Sequence, residues 1–459
     1  MVGITADDLI EQMSWACKAD CVFCYQKGSP PFMRVKMRMS KEEIKTRLKY
    51  YNGKKGLTWC TPYENDEVLN NPFIENVLKQ IRRKDKEMLR IITNGVALTP
   101  QMIAKLKKAM PLFIDISLNS TNPEIRRKLM RDSSPEIAIQ SIPLLRKHKI
   151  PFVVKIVAWP GVPFSDIEKT IKYADKYDAF RVEIGSPGVT RYLPDVSFDY
   201  KRHWKRVVKF VNSIKRKYNI PIVSDIYIDK NNYRRWDIPV VQGTIKHSPA
   251  YTHGVKPGDV IEEVNGQLVD SLFGVFRELL KRRKARLKIR RGGKTLFFNL
   301  KEKKKYPYLF DGQRMRGPFG IRFKLAKELM LSDDDIIDIK RFANIHRAKR
   351  VLVLTSARAY FLIKYKMEKL KLFKSSNARI KLAIAENKMY GGNTKCANLL
   401  VVDDYIHAVK KHKKEFKPDL VVIPSSPFNA WERDVVGRVN LDIERETKVP
   451  VEFVYNEIL

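Results

Sequence analysis

The sequence contains no long uncharged apolar run and no basic-then-apolar segment at its start. Charged residues break up every apolar stretch, and Asp7, Asp8 and Glu11 interrupt the opening segment. A membrane-spanning helix needs about twenty apolar residues in succession, and a secretory signal needs an apolar core behind a basic start. We therefore expect no membrane span and a soluble, cytoplasmic protein.

Cysteine is scarce, and its distribution is uneven. The chain has five cysteines, an odd number, and three of them fall between Cys17 and Cys24. A disulfide framework uses an even set spread along a short secreted chain, so this pattern suits a reducing compartment instead. Cys60 and Cys396 are too isolated to ligate a second cluster, and we expect both to be buried, unreactive thiols.

Acidic residues are outnumbered. The chain has 89 Lys and Arg against 51 Asp and Glu, which gives a formal net charge of +38. Such a field attracts polyanions, so RNA or another nucleic acid, an acidic protein and an anionic membrane surface stay open as partners. A Lys-rich composition is also typical of proteins adapted to high temperature. Between residues 281 and 305 Glu302 is the only acid, which predicts a polyanion-binding face or a solvated hairpin.

What is present is a periodic pattern in a chain of 459 residues, long enough for two to four domains. Up to Ile228, apolar runs alternate with amphipathic stretches of helical period, which predicts strand-helix units on a parallel sheet. The predicted strands are 56–60, 89–93, 112–118, 151–157, 180–184 and 221–226. The predicted helices are 40–51, 72–84, 100–109, 135–147, 165–177 and 200–218. Loops after such strands place polar groups at the sheet edge where sites form.

The pattern of apolar runs and turn residues changes near Val240. Tight turns separate short strands, and Asn265-Gly266 is a strong hairpin signal. A predicted helix over 271–284 and a predicted hairpin through 291–294 complete a small module. From Arg350 onward, predicted strands at 351–355, 380–385 and 420–424 alternate with helices, which indicates a third, α/β domain.

The cysteine triad carries the clearest chemistry. Residues 17–24 read CKADCVFC and offer three thiolates in one loop. Three thiolates can ligate three irons of a four-iron four-sulfur cluster and leave the fourth iron without a protein ligand. A zinc knuckle completed by a histidine and a set of reduced structural thiols are the competing interpretations. Zinc sites show paired ligand spacing, and neither His nor a fourth Cys lies near this loop in the sequence.

The CxxxCxxC motif with an aromatic before its last cysteine, followed by strand-helix units, resembles the radical S-adenosylmethionine (SAM) superfamily. The resemblance covers about the first 230 residues. It implies a partial (β/α)6 barrel and a [4Fe-4S] cluster on Cys17, Cys21 and Cys24. The cluster would reductively cleave SAM, and the resulting 5'-deoxyadenosyl radical would abstract hydrogen from a substrate. An electron donor such as ferredoxin or flavodoxin is implied as well.

The same resemblance suggests which residues contact SAM, while it identifies no catalytic residue. The backbone near Phe23 is expected against the adenine, and Glu64 in the run TPYE is expected to hold the methionine amino group. Polar residues at later strand ends are expected at the ribose and the methionine carboxylate, or at helix and strand caps instead. These residues are Asn94, Ser117, Asn119 and Lys155, with Glu183 as a further candidate for the ribose or the substrate.

The two later modules also resemble known families. The runs GVKPGDVI at 254–261 and VNG at 264–266 resemble a PDZ domain, which implies binding of a protein or peptide C-terminus or, alternatively, a rigid spacer. The runs NKMYGGN at 387–393 and DLVVIP at 419–424 resemble a domain of uncharacterised PDZ-containing iron-sulfur oxidoreductases, in which the PDZ unit usually precedes the barrel. We expect a barrel over 1–235, a PDZ-like domain over 236–306 and an α/β domain over 307–459.

Three functions follow as hypotheses. The first is a radical SAM enzyme that acts on an unidentified, macromolecular substrate, since two extra modules and strong positive charge favour a large or polyanionic target. The second is an RNA-modifying radical SAM enzyme, for which steep salt dependence is expected. The third is a PDZ-type scaffold in which the cluster only senses redox state.

Overall fold

The computed structural model describes most of the chain, in twelve segments. These are residues 17–24, 27–31, 40–51, 67–86, 88–193, 198–224, 238–280, 282–302, 318–323, 333–372, 378–428 and 432–454. Within them, the molecule has three sheet systems, two parallel and one antiparallel, each with its own helices and core. The predicted strand at 56–60, Cys60 and Glu64 lie outside the described residues.

The first system is a five-stranded parallel sheet whose strands lie in sequence order. Its strands are β1 (Leu89–Thr93), β2 (Leu112–Ser117), β3 (Phe152–Val157), β4 (Val182–Gly185) and β5 (Ile222–Ser224). Its helices are α1 (Lys41–Tyr50), α2 (Ile74–Lys84), α3 (Pro100–Lys108), α4 (Pro123–Met130), α5 (Pro135–Lys147), α6 (Phe164–Lys176) and α7 (Tyr200–Ile214). Parallel strands joined in order by helices confirm the predicted partial barrel.

Local signals explain most of these helix boundaries. Ser40 and Glu43 form a reciprocal capping box at the start of α1. Thr99 caps α3 and Asn122 caps α4, and each is followed by a proline at the first helical position. Helix α4 was not among the sequence predictions, because its eight residues are too few for a clear helical period.

The two faces of the barrel strands differ in chemistry. One face packs the helices on an apolar core that includes Ile91, Ile114, Val154 and Ile184. The alternate positions on β1 to β4 carry charged side chains on the other face, as the period of two in a strand requires. They are Arg90, Asp115, Lys155 and Glu183, and Arg181 lies one residue before β4.

The middle module is a four-stranded antiparallel sheet with a short two-stranded sheet beside it. Its elements are β6 (Val241–Thr244), α8 (Pro249–Thr252), β7 (Val260–Val264), β8 (Gln267–Leu268), α9 (Leu272–Leu280), β9 (Lys284–Arg291), β10 (Lys294–Lys301) and β11 (Ile321–Phe323). Asn265 and Gly266 have φ of 53° and 82°, so they form the predicted two-residue hairpin. The predicted helix over 271–284 was too long, because Lys284 already begins β9.

Strand β11 lies beyond the predicted boundary at residue 306 and yet pairs with β6 of the middle module. Phe319, Ile321 and Phe323 share that module's apolar core with residues of α9 and β9. A short strand far along the chain gives no local sign of its partner, since pairing depends on the tertiary fold. The domain boundaries themselves stay predictions.

The last system is a parallel sheet of order β13-β12-β14-β15. Its elements are α10 (Asp333–Ile345), β12 (Arg350–Thr355), α11 (Tyr360–Lys369), β13 (Arg379–Ile384), α12 (Val402–Lys413), β14 (Leu420–Pro424), α13 (Leu441–Thr447) and β15 (Val451–Val454). This confirms the predicted α/β class. Leu362 of α11 packs into the core of the middle module, and Lys369 pairs with Asp270 at 2.9 Å.

Among the helices of the described segments, none is both long enough and apolar enough to cross a membrane.

Candidate functional site

The three cysteines lie on one loop that is attached to the end of α4. The Asp20 N–H donates to the Met130 carbonyl at 2.9 Å, and the Val22 N–H donates to the Leu129 carbonyl at 2.9 Å. Cys17, Cys21 and Cys24 are free thiols, and each is half-buried. Helix α4, which the sequence analysis did not predict, therefore sets the position of the cysteine motif, which it did predict.

In the described part of the chain, no three His, Cys, Asp or Glu side chains are arranged to hold a metal ion. A single zinc ion needs all its ligands within about 2.3 Å of one point. A cubane cluster instead takes one thiolate on each of several irons. Three free thiols in one loop are the donor set that such a cluster uses when one iron stays open.

Asn94, at the end of β1, contacts the first cysteine. Its Nδ2 donates to Cys17 Sγ at 3.1 Å, and the Ala19 N–H donates to the same sulfur at 3.4 Å. Burial raises the pKa of the Cys17 thiol, while these two donors work to lower it. Asn94 was predicted to contact SAM, and the structure places its amide on a cysteine that is expected to ligate iron.

Glu67 accepts a hydrogen bond from the backbone of Asn94, and the sequence analysis did not predict it as a site residue. Its carboxylate accepts hydrogen bonds from Thr93 Oγ1 at 2.7 Å and from the Asn94 N–H at 2.8 Å. Burial raises the pKa of Glu67 to about 7. Glu67 follows a run of polar residues and precedes only Val68 and Leu69, so no local signal in the sequence distinguishes it.

Arg126 is a second residue that sequence reasoning missed. Its guanidinium is fully buried, pairs with Asp132 at 2.8 Å and donates to three carbonyls at the strand ends. These are Ser117 O at 2.9 Å, Leu118 O at 2.6 Å and Asn94 O at 2.6 Å. Because these carbonyls belong to β1 and β2 ends, Arg126 ties both strands to α4 and the cysteine loop.

Arg126 also affects the second cysteine. Burial raises the pKa of Cys21 to about 12, and the neighbouring Cys24 and Cys17 thiols add to that rise. The charge of Arg126 opposes the rise, as a nearby cation favours a thiolate. Metal binding to these thiols would thus release protons.

The polar face of the barrel holds a network of charges. Lys155 Nζ lies 3.1 Å from Asp115 Oδ2 and 3.7 Å from Glu183 Oε2, and Arg90 donates to Asp115 at 2.7 Å and 2.9 Å. Glu183 also pairs with Arg181. Lys155 was predicted at the methionine carboxylate, and in this structure its ammonium group lies between two carboxylates of the protein. Asp115, an acid within a buried strand, was not predicted.

This network sets the charge state of its acids. Burial by itself raises the pKa of Asp115, but Lys155 and Arg90 outweigh it and hold that pKa well below its usual range. The same balance holds for Glu183, where Arg181 and Lys155 overcome burial and lower the pKa. Both carboxyl groups are therefore ionised at neutral pH.

Asn119 and Ser117 lie at the end of β2, where ribose contacts were predicted. Asn119 is buried with φ of 60°, its Oδ1 accepts from the Val157 N–H at 2.8 Å, and its Nδ2 donates to Met130 Sδ at 3.0 Å. Its amide thus joins β3 to α4. Ser117 is half-buried and lies beside Lys155 in the register of β2 and β3.

Aromatic side chains follow the motif. The rings of Phe23 and Trp159 lie 6.0 Å apart, and Trp159 lies 5.8 Å from Phe198 in an edge-to-face contact. Trp159 follows β3, so this cluster links the cysteine loop to the carboxyl end of the sheet. Flat apolar surfaces of this kind stack on planar rings.

Two further sequence predictions can be located. Cys396 is half-buried rather than buried, because it lies in the loop that precedes α12 instead of in the core. Part of the basic stretch 281–305 is paired with acids of β7 and the preceding turn, so those cations serve the module itself. The pairs are Lys288 with Glu263, Arg290 with Glu262 and Arg291 with Asp259.

Comparison with known families identifies two of the three modules. Residues 13–174, which include the cysteine loop, α4, β1 to β3 and most of α6, match the radical SAM superfamily. The chain carries a radical SAM domain. Residues 240–291 match the PDZ domain, so the second resemblance is confirmed as well. The resemblance of the C-terminal domain stays a prediction.

Solved structures of radical SAM proteins resemble the chain at low identity. SuiB of Streptococcus suis, bound to S-adenosylmethionine, is 14% identical over 49% of this chain and 54% of its own, with a TM-score of 0.33. Methylornithine synthase (PylB) is 15% identical over 47% and 68%, with a TM-score of 0.32. The hydrogenase maturase HydG of Carboxydothermus hydrogenoformans is 14% identical over 59% and 64%, with a TM-score of 0.35. The chain thus spans about half the length of SuiB.

Proposed function

We propose that the chain is a radical SAM enzyme in which Cys17, Cys21 and Cys24 hold a [4Fe-4S] cluster. A cluster held by these thiolates would supply the electron that cleaves SAM reductively to methionine and a 5'-deoxyadenosyl radical, and that radical would take a hydrogen atom from the substrate. The observation that carries this proposal is the free thiol triad within the matched radical SAM domain.

The surrounding residues support the roles that this chemistry needs. Asn94 donates a hydrogen bond to Cys17 and Arg126 places a positive charge near Cys21, and both favour the thiolate forms that bind iron. Phe23 and Trp159 offer an apolar surface for the adenine. A methionine carboxylate or a substrate anion at Lys155 would compete with Asp115 and Glu183 for its ammonium group.

The test is anaerobic reconstitution with iron and sulfide, followed by reduction in the presence of SAM. We expect about four irons per chain, an electron paramagnetic resonance signal that SAM perturbs, and release of 5'-deoxyadenosine. A Cys21→Ala variant should lose all three. Cys396→Ala is the matched control, because it removes a half-buried thiol outside the motif and should retain them.

Two results would contradict the proposal. One is a wild-type protein that takes up zinc but no iron-sulfur cluster under these conditions. The other is full 5'-deoxyadenosine release by the Cys21→Ala variant.

A second candidate function belongs to the PDZ domain, and a specific observation favours it. Among the described strands, β11 and β6 form a two-stranded sheet. Phe323 of β11 packs edge-to-face on Phe276 of α9 at 5.2 Å, which forms an apolar floor between strand and helix. Since residues 240–291 match the PDZ domain, we propose that a peptide C-terminus adds to this sheet as a further strand, as PDZ domains bind their ligands.

Peptide binding is tested by fluorescence anisotropy with a labelled peptide that ends in Val. The peptide with a free carboxylate should bind saturably, and the same peptide with an amidated end should not, since the carboxylate is captured by backbone amides. Equal binding of both peptides, or binding of neither, would rule out this function.

A further inference from the structure

A loop of the C-terminal domain forms several hydrogen bonds with the segment that follows β4 of the barrel. The Asn393 N–H donates to the Val189 carbonyl at 2.9 Å, and the Asn393 Oδ1 accepts from the Val189 N–H at 2.8 Å. Asn393 Nδ2 donates to the Pro187 carbonyl at 2.8 Å, and the Arg191 N–H donates to the Tyr390 carbonyl at 2.8 Å. Asn393 thus satisfies backbone groups of this segment as a neighbouring strand would.

The approach of the two backbones is close enough to require glycine at one position. A Cβ on Gly392 would lie 2.0 Å from the Val189 carbonyl oxygen and 2.7 Å from its carbon, and Gly392 has φ of +59°. Gly391 has a similar φ of +64°, but a Cβ there would meet nothing nearer than 3.5 Å, at the flexible Arg191 side chain. The two glycines share a conformation and differ in space, so they form a matched pair.

The same barrel segment contacts the cysteine loop on its other side. Thr190 Oγ1 donates to the Gly28 carbonyl at 2.6 Å, and the Gly28 N–H donates to the Cys24 carbonyl at 3.2 Å. Residues 187–192 therefore lie between the C-terminal domain and the turn that ends the motif. This is the carboxyl end of the parallel sheet, where such folds build their sites.

We propose that Gly392 and Asn393 are positioning residues for the iron-sulfur site. They hold residues 187–192 in place, and Thr190 in turn holds the turn that follows Cys24. The C-terminal domain then forms part of the radical site instead of being an independent appendage. The part of this proposal that concerns the cluster rests on the proposed function of the three cysteines.

The first test measures hydrogen exchange in the full-length, anaerobic protein. In Gly392→Ala, the Val189, Arg191 and Gly28 amides should exchange at least about tenfold faster than in the wild type, the factor that corresponds to about 1.4 kcal/mol. Gly391→Ala should exchange like the wild type at these amides. Unchanged exchange within β13 and β14 would show that the C-terminal domain is still folded. Unchanged exchange at Val189 and Arg191 in a folded Gly392→Ala variant would overturn the proposal.

The second test measures iron release from the reconstituted protein to a ferrous chelator. Gly392→Ala and Thr190→Val should each release iron about tenfold faster than the wild type, since each breaks one link of the same chain of contacts. Gly391→Ala and Thr190→Ser should release iron at the wild-type rate, because serine keeps the hydroxyl donor. The double variant Gly392→Ala/Thr190→Val should be less than additive, as expected for coupled sites.

The two failures are distinguishable. If the wild type takes up no cluster, the proposed function fails, and exchange of the Gly28 amide alone decides whether the C-terminal domain positions the cysteine loop. If exchange at Val189 rises while iron release and Gly28 exchange stay at wild-type values, the coupling is overturned and the contact is only structural.

Discussion

The Arg126–Asp132 pair is a fully buried ion pair at the site, and the Arg126→Met substitution tests how much it contributes to the stability of the barrel. The substitution keeps an unbranched chain of similar length and removes the guanidinium. Asp132 then stays in the core with no cation, and the Ser117, Leu118 and Asn94 carbonyls lose their donor. A methionine side chain supplies no hydrogen bond to any of these groups.

The magnitude follows from the burial of both partners. Both side chains are fully shielded from solvent, and removal of one partner from such a pair costs about 3–5 kcal/mol. The loss of the hydrogen bonds to three carbonyls adds to this cost. A loss of about 4 kcal/mol corresponds to roughly 700-fold faster opening of the region, at a factor of ten for each 1.4 kcal/mol.

The assay is hydrogen exchange of the β2 amides, which reports the free energy of opening of the barrel alone in a multidomain chain. Arg127→Met is the matched control, because Arg127 lies next along α4 and makes only an exposed contact with Glu136 at 3.4 Å. Its effect should stay within about 0.5 kcal/mol. The double variant Arg126→Met/Asp132→Asn should regain part of the loss, since no unpaired charge is left in the core.

The reasoning is refuted if Arg126→Met changes β2 exchange no more than Arg127→Met does. It is refuted as well if Asp132→Asn makes the Arg126→Met protein less stable still, because the buried charge would then not be the source of the cost.

Three further predictions concern the same site. Burial raises the pKa of Glu67 from 4.5 to about 7 in the folded protein. The contribution of its protonated carboxyl group to the free energy of unfolding, up to about 3 kcal/mol, is therefore present below pH 4.5 and is lost as the pH rises through 7. Glu67→Gln should remove this dependence from barrel exchange, and parallel pH curves would contradict it. The pKa of Asp115 is lowered, so its contribution is present above about pH 3.8 and is lost on acidification. The Asp115→Asn variant should lose this dependence of stability on acid pH, and its free energy of unfolding at neutral pH should fall by about 3–5 kcal/mol. An unchanged free energy of unfolding would show that the network is solvated. Asn94→Ala should slow alkylation of Cys17 in the apo-protein several-fold, since a donor to the thiolate is removed, and mass spectrometry of the modified peptide measures this.

Much of the first domain was predictable from local pattern. The strand at 89–93 was predicted with the bounds that the structure has, because its apolar residues end at the turn Asn94-Gly95. The Asn265-Gly266 hairpin was also predictable from local sequence, since its turn needs two adjacent positive φ angles and Asn-Gly adopts them readily. The cysteine motif could be recognised because its three thiols lie within one loop.

The supporting residues of the site were not predictable in this way. Arg126 and Glu67 act through carbonyls and amides of strand ends that are distant in sequence, and nothing in their local sequence names those partners. Lys155 was predicted to meet a ligand, but its neighbours on adjacent strands are acids of the protein. Only strand register shows which charged residues lie side by side.

The sequence by itself determined the grouping of the three cysteines in one loop, the alternation of strands and helices, and the tight turns, because each depends on residues within a few positions of one another. The tertiary structure alone decided that α4 carries the cysteine loop, that β11 returns to β6, and that Gly392 meets the Val189 carbonyl. These contacts join residues tens to hundreds of positions apart. Such contacts are selected by how the whole chain packs, since each must offset the entropy of closing a long loop.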